Sequence, residues 1–455
     1  MDVRGKKVVV VGLGISGKAG SVLLKEKGAY VYAIDSEVSD KLKGIGSELK
    51  SNGIDVSLGS YDEEIIKRSD LMVVSPSIKD DSALLKLAKN TSIPVVSEIE
   101  LASWFCKAPI IAVTGTNGKS TIVTLIGKML DESGKSTVVC GNIGDAFSGK
   151  VADIREDQIV VLEVSSFQLK RIDTFKPKIS LITNITENHF DWHPDFRDYF
   201  DSKKRIFKNQ SKGDYTILNY DDSQLNVIAD QLRPQGLFFS MNKEVEGSYC
   251  DNGKLVLNVD GKRLEICDTD SILLNGVHNI SNSLAASLCS YLAGASIEGI
   301  KRALSSFKGL DHRFQYVADI EGVKFIDDSK ATTVDACRIA LSSCNGKVIL
   351  IAGGRDKGSD FTKIKDIVKD KVKAIILLGE ASNKIATALG SITEVHEARN
   401  MNEAVSKAQS IAKFSDVVLL SPMCASFDMY SSYKERGNEF KKAVIKLKGI
   451  KKISV

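Results

Sequence analysis

The stretch 110–121, Ile-Ile-Ala-Val-Thr-Gly-Thr-Asn-Gly-Lys-Ser-Thr, is an apolar run that breaks into a glycine-rich turn. Backbone amides of such a turn, and of the helix after it, can bind phosphate oxygens. Lys119 adds a positive charge and the Ser120 hydroxyl can bind Mg²⁺. Apolar residues then recur at helical spacing as far as Leu130, and Gly134 follows as a stop. Strand, turn and helix together predict a phosphate-binding loop.

The length and composition of the chain indicate a globular protein of several domains. Its 455 residues correspond to about three domains of ordinary size. Hydrophobic residues make up 43% and charged residues 26%, which argues against disorder. The formal net charge is only +4, and the lysines are spread along the whole chain. Neither a nucleic-acid partner nor membrane insertion is expected.

The cysteines and the N-terminal segment both predict a cytoplasmic protein. The eight cysteines include no C-x-x-C pair and no metal-binding spacing, so we expect buried thiols in a reducing compartment. Basic residues precede an apolar run near the N-terminus, but Lys18 interrupts that run, which argues against a signal peptide. No stretch approaches the length of a membrane span.

Strand-like runs alternate with helical patterns over most of the chain, which predicts an α/β fold with parallel sheets. The runs fall into three sets, with breaks near residues 98 and 309. We therefore expect three domains at 1–98, 99–308 and 309–455. Short alternating runs between about 236 and 267, separated by turn sequences, predict antiparallel hairpins inserted in the central domain.

The first domain opens with a glycine-rich turn, 12–17 (GLGISG), directly after a valine strand. Asp35 ends the next strand, where it is placed for a ribose hydroxyl. This pattern predicts a Rossmann-like domain that binds a dinucleotide or another nucleotide. Glycines that serve only close packing of helix on strand are the structural alternative.

A glutamate at the end of a central strand adds to the phosphate-loop prediction. Glu163 follows the apolar run 159–162, so it faces the carboxyl edge of the sheet, where ligands of parallel sheets bind. Mg²⁺ prefers a few oxygen ligands and retains waters, so Ser120, Glu163 and nucleotide phosphates form a plausible set. A strand-end glutamate in an ion pair is the alternative.

The short loop 115–120, GTNGKS, resembles the GTxGK(S/T) loop of the Mur ligases of peptidoglycan synthesis and of their relatives, the folylpolyglutamate synthases. The resemblance implies three domains: a Rossmann-like N-terminal domain for a UDP-sugar substrate, a P-loop ATPase-like domain for ATP, and a Rossmann-like C-terminal domain for an amino acid. It also implies that a carboxylate and an amine are joined through an acyl phosphate. The residues implied for the UDP substrate are Gly14, Ile15, Ser16, Asp35, Ser36, Ser75 and Asn142. Ser77 stands where the family's SPGI turn has glycine.

The resemblance also implies ATP and two Mg²⁺ ions as cofactors. The residues implied for ATP are Thr114, Gly115, Thr116, Asn117, Gly118, Lys119, Ser120, Thr121, Asn282, Arg313 and Asp328. His189 matches the metal-binding histidine of an N-x-x-x-x-H-x-D-x-H loop, and Lys203 matches a lysine that is carbamylated in most of these ligases. With Lys119, the implied catalytic and metal residues are thus Ser120, Glu163, His189 and Lys203. Asp311 replaces the proline of the family's P-H-R turn.

Three segments of the third domain resemble the family members that add D-glutamate. They are DDSKATT at 327–333, GGRDKG at 353–358 and SPMCASFDMY at 421–430. The residues implied for the amino acid are Lys330, Thr332, Lys357, Ser426 and Phe427. Two lysines with hydroxyls suit a dicarboxylate, which needs cations and fixed donors.

The expected function is thus ATP-dependent ligation of D-glutamate to UDP-N-acetylmuramoyl-L-alanine, by a cytoplasmic enzyme expected to be a monomer. Three alternatives remain open at this point. One is a sibling ligase or folylpolyglutamate synthase that takes another amino acid. The second is a regulatory protein that hydrolyses ATP slowly, and the third is an NAD-dependent oxidoreductase that uses the turn 12–17. Phosphate release that requires both a muropeptide precursor and an amino acid separates the expected ligase from all three.

Overall fold

A computed structural model of the chain describes residues 1–187, 192–229, 232, 235–274, 276–356 and 358–452. The chain forms two compact units, Met1–Phe307 and Lys308–Val455. The first unit contains two sheets and the second contains one.

The first sheet is a five-stranded parallel sheet in the order β3-β2-β1-β4-β5. Its strands are β1 (Lys7–Val11), β2 (Tyr30–Asp35), β3 (Asp55–Leu58), β4 (Leu71–Val74) and β5 (Val95–Ser97). The helices that connect and follow them are α1 (Ile15–Glu26), α2 (Asp40–Ser51), α3 (Glu63–Lys67), α4 (Ala83–Asn90) and α5 (Glu98–Ser103). The four valines of β1 are buried because helices cover both faces of a parallel sheet. This is the Rossmann-like domain that the sequence predicts.

The central sheet has nine strands in the order β14-β13-β12-β11-β10-β9-β6-β8-β7. The strands are β6 (Ile110–Thr114), β7 (Thr137–Gly141), β8 (Ile159–Glu163), β9 (Ile179–Ile182), β10 (Tyr215–Asn219), β11 (Gln235–Ser240), β12 (Gly247–Asp251), β13 (Lys254–Val259) and β14 (Lys262–Asp268). The helices are α6 (Lys119–Glu132), α7 (Ser166–Leu169), α8 (Phe196–Lys204), α9 (Ser223–Asn226), α10 (Val277–Leu292) and α11 (Ile297–Ser306).

The antiparallel region predicted between 236 and 267 is present, with one correction. Strands β12, β13 and β14 form an antiparallel meander. Strand β11 is parallel to both of its neighbours, β10 and β12, so the prediction of hairpins throughout this region is wrong for β11. Because β11 continues the parallel ladder, the meander extends the edge of the central sheet.

One apolar core extends across the first two sheets, and a second cluster that includes Val9 and Met72 covers the other face of the first sheet. Buried residues of β1 and α1, such as Val8 and Leu24, belong to the same cluster as Leu162 of β8 and Tyr199 of α8. Helix α1 also packs against a short 3₁₀ turn, Phe147–Gly149, that follows β7. The first two sheets are therefore packed together through shared apolar residues.

The second unit has a six-stranded sheet in the order β15-β16-β20-β17-β18-β19, with β15 antiparallel. The strands are β15 (Gln315–Ile320), β16 (Val323–Asp327), β17 (Val348–Gly353), β18 (Val372–Leu378), β19 (Glu394–Glu397) and β20 (Val417–Met423). The helices are α12 (Val334–Ser342), α13 (Lys365–Lys371), α14 (Ser382–Leu389), α15 (Met401–Ile411) and α16 (Tyr433–Lys452). In the part of the chain that the structure describes, no helix combines the length and apolar character needed to cross a membrane. All eight cysteines are free.

Candidate active site

The phosphate loop lies between β6 and α6, where two glycines adopt conformations that other residues rarely take. Gly115 has a φ of 140° and Gly118 a φ of 86°. A Cβ atom on Gly115 would lie 1.9 Å from Thr183 Oγ1, and one on Gly118 would lie 2.5 Å from Asn282 Oδ1. Only glycine fits at these two positions. The loop can therefore pass close to the residue after β9 and to α10, and these neighbours fix its path.

The segment after β9 holds the other side of this loop. The Asn117 amide donates to Asn184 Oδ1 over 2.9 Å, and Thr183 Oγ1 donates to the Asn117 carbonyl over 2.7 Å. The Thr116 hydroxyl lies 3.0 Å from the hydroxyl of Tyr199 on α8. These bonds connect β6, β9 and α8 around the loop, so its backbone is preorganised.

Lys119 begins α6, and its side chain lies against the phosphate loop. Its Nζ donates to the carbonyls of Gly115 and Thr116, both over 2.8 Å. This places the ammonium over the turn, the position that a phosphate-binding lysine requires.

Two oxygen ligands expected for Mg²⁺ converge at the carboxyl edge of the central sheet. Ser120 Oγ lies 2.5 Å from Glu163 Oε2, and both residues are buried. The second carboxylate oxygen of Glu163 accepts a 2.9 Å hydrogen bond from Asn142 Nδ2. Asn142, expected to contact the UDP substrate, is therefore next to the phosphate loop.

Lys203 is buried beside the phosphate loop. Its side chain is 2% exposed, and Nζ donates to the Gly115 carbonyl over 2.8 Å. Burial lowers the pKa of this amine well below its usual value, the charge of Lys119 lowers it further, and Glu163 opposes the shift. A lysine in this setting favours the neutral amine.

His189 and Lys357 lie outside the described residues. Among the residues that are described, no group of three or more His, Cys, Asp and Glu side chains is placed to hold a metal ion. His193, the second histidine of the N-x-x-x-x-H-x-D-x-H motif, is fully buried. Its Nδ1 lies 2.6 Å from Asp198 Oδ2, and its Nε2 lies 2.9 Å from Ser166 Oγ. Burial lowers the pKa of His193 despite its contact with Asp198.

Of the remaining residues expected at ATP, Thr114 and Thr121 are buried within β6 and α6. Asn282 lies on α10 against Gly118, and its Nδ2 donates to Asn279 Oδ1 over 3.2 Å. The central sheet thus brings its nucleotide candidates together around one loop. Arg313 and Asp328 belong to the second compact unit.

The first sheet carries a cleft of about 620 Å³ at its carboxyl edge. Gly14, Asp35 and Ser36 are among the residues that line it. The Asp35 carboxylate accepts the Leu13 amide over 2.7 Å and the Glu37 amide over 3.0 Å, so it also orders the turns around the cleft. The cleft is the expected UDP site.

Three further UDP candidates, Ile15, Ser16 and Ser75, are close in sequence to residues that line that cleft. Ile15 and Ser16 form the first turn of α1, and Ile15 is 72% exposed. Ser75 is buried and its Oγ donates to the Gly12 carbonyl over 2.6 Å. A Cβ on Gly17 would lie 1.8 Å from that same carbonyl, so the third glycine of the turn serves close packing of helix on strand.

Asp328 directly follows β16 and is buried. Its carboxylate accepts the Phe314 amide and the Ser421 hydroxyl, both over 3.1 Å. Burial raises the pKa of Asp328 to about 7, although these hydrogen bonds and the charge of Arg313 oppose the shift. The neighbouring Asp327 lies 2.7 Å from Nδ1 of His312.

The amino-acid candidates lie in the loops after β16 and β20. Lys330 Nζ lies 5.2 Å from the centre of the Tyr433 ring, and Thr332 is half-buried. Ser426 is buried and the Phe427 side chain is 61% exposed. The backbones of Arg355 and Ala425 exchange two hydrogen bonds of 2.8 and 3.0 Å, which tie the loop after β17 to the loop after β20.

Arg436 lies at the carboxyl edge of the six-stranded sheet, and the sequence analysis did not identify it. It is 3% exposed, and its guanidinium donates to the carbonyls of Ser329, Gly353 and Cys424, with bonds of 2.9, 3.4 and 3.1 Å. These carbonyls follow or end β16, β17 and β20. Burial lowers the pKa of Arg436 to about 10. No spacing signals this role, because the arginine comes from α16, well after the loops that it joins.

The fold and these loops define an α/β protein whose central sheet carries a phosphate loop of the nucleotide-binding type. Comparison with family profiles gives three matches: the "Mur ligase MurD-like, N-terminal domain" at 6–97, the "Mur ligase middle domain" at 113–290 and the "Mur ligase, glutamate ligase domain" at 312–424. The chain belongs to the Mur ligase family.

Individual relatives agree with the family. A UDP-N-acetylmuramoylalanine--D-glutamate ligase from Thermoanaerobacter sp. strain X514 is 42% identical over 98% of this chain and 100% of its own length. The fold is similar to that of a pseudomurein peptide ligase type C from Methanothermus fervidus, with a TM-score of 0.61, 19% identity and coverage of 97% and 100% of the two chains. It is also similar to a MurF ligase from Thermotoga maritima in complex with ADP, with a TM-score of 0.57, 16% identity and coverage of 98% and 96%.

Proposed function

We propose that this protein is an ATP-dependent ligase that adds D-glutamate to UDP-N-acetylmuramoyl-L-alanine in peptidoglycan precursor synthesis. The observation that carries the proposal is the full-length likeness to a curated D-glutamate ligase, at 42% identity. In the proposed reaction ATP phosphorylates the alanine carboxylate and leaves as ADP. The amine of D-glutamate then attacks the acyl phosphate, and phosphate is expelled as the amide forms.

The phosphate loop supports the first step. The transferring phosphoryl group carries spread negative charge, so the protein's task is to position it and neutralise it. Lys119 supplies a cation above the turn 115–118, and the amides of the turn and of α6 supply fixed dipoles. Asn282, held against Gly118, is the proposed contact to adenine.

Two Mg²⁺ ions complete the proposed centre. Ser120 and Glu163 fit the first ion because their oxygens already converge and hard oxygen donors suit Mg²⁺. His189 and a carbamylated Lys203 are proposed for the second. Bound Mg²⁺ would neutralise phosphate charge and align the carboxylate with the phosphoryl group.

The chemistry of Lys203 supports its carbamylation. Only a neutral amine adds CO₂, and the addition releases a proton and leaves an anionic carbamate. Burial of the Lys203 amine beside the loop lowers its pKa, so the reactive form is favoured. Lys204, the next residue in the chain, is 27% exposed and lies 3.9 Å from Asp201. The choice of Lys203 over Lys204 therefore has a physical basis.

The cleft of the first sheet is the proposed site of the uridine diphosphate. Gly14, Ile15 and Ser16 present amides at the start of α1, which suits a pyrophosphate. Asp35 and Ser36 offer polar atoms to the nucleoside from the end of β2. Ser75 donates a hydrogen bond to the Gly12 carbonyl of the turn, and Asn142, next to Glu163, is proposed to contact the diphosphate from the side of the central domain.

The second unit is proposed to hold D-glutamate, with Lys330, Thr332, Lys357, Ser426 and Phe427 as contacts. Their loops follow β16, β17 and β20, the edge where ligands of such sheets bind. Arg313 and Asp328 are proposed for ATP. We also propose the domain limits 1–98, 99–308 and 309–455, a cytoplasmic location and a monomeric state.

The test is an assay of phosphate release with ATP and a matrix of precursors and amino acids. Release should require UDP-N-acetylmuramoyl-L-alanine and D-glutamate together, with a ligated product confirmed by mass spectrometry. Release from ATP alone would favour a regulatory nucleotide hydrolase. Activity only with another amino acid would identify a sibling ligase.

A further inference from the structure

A chain of charged contacts joins the loop of the UDP cleft to the helix that carries Lys203. The loop follows β4, and two of its residues, Ser77 and Ile78, line the cleft. Asp80 lies just beyond them. Its carboxylate lies 2.6 Å from the Nζ of Lys170, which follows α7 in the central domain.

Lys170 is shared between the two domains. Besides Asp80, its Nζ contacts both carboxylate oxygens of Asp198 on α8, each at 2.7 Å. Asp198 in turn contacts the buried ring of His193. The result is a continuous path of ionic and hydrogen-bonded contacts from the first domain to α8.

Arg171 strengthens the first-domain end of this path. Its Nη2 donates to Asp80 Oδ1 over 2.5 Å and to the Ile78 carbonyl over 3.2 Å. Its own carbonyl accepts the Ser97 amide over 2.9 Å. Arg171 therefore holds the loop after β4 at two points, the Asp80 carboxylate and the Ile78 carbonyl.

The two cations of this bridge are enclosed, whereas Asp80 is 52% exposed. The side chains of Lys170 and Arg171 are 20% and 9% exposed. Trp192 covers both cations, with its ring centre 5.3 Å from Lys170 Nζ and 5.7 Å from the Arg171 guanidinium. Water screens the contact of Lys170 with Asp198, whose side chain is 26% exposed, less than it screens the contacts of Asp80.

The far end of the path lies on the helix that faces the phosphate loop. Tyr199 and Lys203, which contact Thr116 and Gly115 of that loop, follow Asp198 on α8 by one and five residues. A displacement of Asp198 would therefore move the helix that contacts the phosphate loop.

We propose that Lys170 is a positioning residue that sets the distance between the UDP cleft and the phosphate loop by holding Asp80 and Asp198 together. This rests on the proposed function, in which one substrate extends from the cleft to the transferred phosphoryl group. Reaction requires the alanine carboxylate to lie close to that group, and a misplacement of ~1 Å can cost on the order of 10²-fold in rate. Free UDP carries no alanine carboxylate, and all of its proposed contacts except Asn142 belong to the first domain, so its binding depends little on this distance.

The first test compares Lys170→Met with the wild type and with Lys107→Met. Lys107 forms an ion pair of 2.7 Å with Glu156 on the exposed surface of the same unit, and is the matched control. For Lys170→Met we expect kcat/KM for the UDP substrate to fall on the order of tenfold or more. The affinity for UDP by calorimetry and the KM for ATP should stay within about twofold of the wild-type values, and Lys107→Met should match the wild type.

A double-mutant cycle gives the second test. If the contact between Asp80 and Lys170 carries part of the effect, the loss of kcat/KM in Asp80→Asn combined with Lys170→Met should be smaller than the two single losses added together as free energies. Lys170→Arg should restore part of the loss. Unchanged kcat/KM, or a parallel fall in UDP affinity, would overturn the positioning role. A wild-type chain that is inactive with this precursor and D-glutamate would contradict the proposed function itself.

Discussion

Lys203 on α8 donates a hydrogen bond of 2.8 Å to the carbonyl of Gly115, so the helix touches the phosphate loop through a buried amine. The next residue, Lys204, extends to the partly exposed surface and contacts Asp201. Two adjacent lysines on one helix therefore have different environments. Because they differ by one position only, they form a matched pair for experiments.

Lys203→Ala should lose at least about 10²-fold in kcat, because the variant lacks the proposed carbamate ligand. Added formate or acetate should restore part of the activity by supplying the missing oxygens. Lys204→Ala should stay close to the wild type. Normal activity of Lys203→Ala, or the absence of a carbamate signal in ¹³C NMR with ¹³CO₂, would show that the site is not carbamylated.

Lys119→Ala should abolish acyl-phosphate formation, with a loss on the order of 10²-fold or more in phosphate release. The reason is that Lys119 supplies the cation next to the transferring group. Lys128 is the matched control, since it lies on the same helix and pairs with Glu132 over 3.2 Å. Near-normal turnover by Lys119→Ala would contradict the assignment of residues 115–120 as the phosphate-binding loop.

The α/β class and the three successive sets of strands could be predicted from the sequence, because many of the strands are continuously apolar. The valines of β1 and the run 110–113 before the phosphate loop are buried on both faces, which produces an unambiguous signal. The strand-like runs found in the sequence do not include β3, β15 or β19, and all three of these strands lie at sheet edges. Strand β19 reads Glu-Val-His-Glu, and a half-exposed strand of four residues carries too little periodicity to detect.

Only those residues of the candidate site that belong to local sequence motifs could be predicted from the sequence. The loop 115–120 and Glu163 could be found because each follows a strand of the same sheet. Arg436 and Lys170 could not, because their roles depend on partners distant in sequence. Arg436 contacts a carbonyl 107 residues away, and Asp80 lies about 90 residues before its partner Arg171. Such contacts follow from tertiary packing, which one sequence does not encode as spacing.

Asp328→Asn should change the pH dependence of stability. Burial raises the pKa of Asp328 to about 7, above its usual value of about 3.9. Its stabilising contribution is therefore fully present below about pH 4 and is lost as pH rises towards 7. Between pH 4 and 8, the free energy of unfolding of Asp328→Asn should rise relative to the wild type by up to about 4 kcal/mol.

Denaturant titrations at several pH values check this prediction. Asp335→Asn on α12 is the control, because the Asp335 side chain is 39% exposed and pairs with Arg338 at 3.6 Å. Its curve should run parallel to that of the wild type. A parallel curve for Asp328→Asn as well would show that Asp328 does not titrate in this range.

Arg436→Met should raise the KM for D-glutamate at least about tenfold and lower the thermal stability. The substitution leaves carbonyls after three strands without their donor, and each unpaired buried group costs about 1–3 kcal/mol. Arg338→Met, an exposed arginine of the same unit, is the control. If Arg436→Met lowers only the melting temperature and leaves the KM for D-glutamate unchanged, the arginine does not shape the amino-acid site.

Selectivity for D-glutamate is the sharpest test of the second unit. The candidate residues Lys330, Lys357 and Ser426 suit a dicarboxylate, whereas a site for lysine or diaminopimelate also needs an acceptor for a distal ammonium. With both carboxylates fixed, inversion of the α-carbon swings the amine away from the acyl phosphate, and ~1 Å of misplacement can cost on the order of 10²-fold in rate. Phosphate release should therefore be strong with D-glutamate and near background with L-glutamate, L-alanine, L-lysine and meso-diaminopimelate. Comparable rates with L-glutamate, or preference for a diamino acid, would reject D-glutamate as the substrate while leaving the family assignment intact.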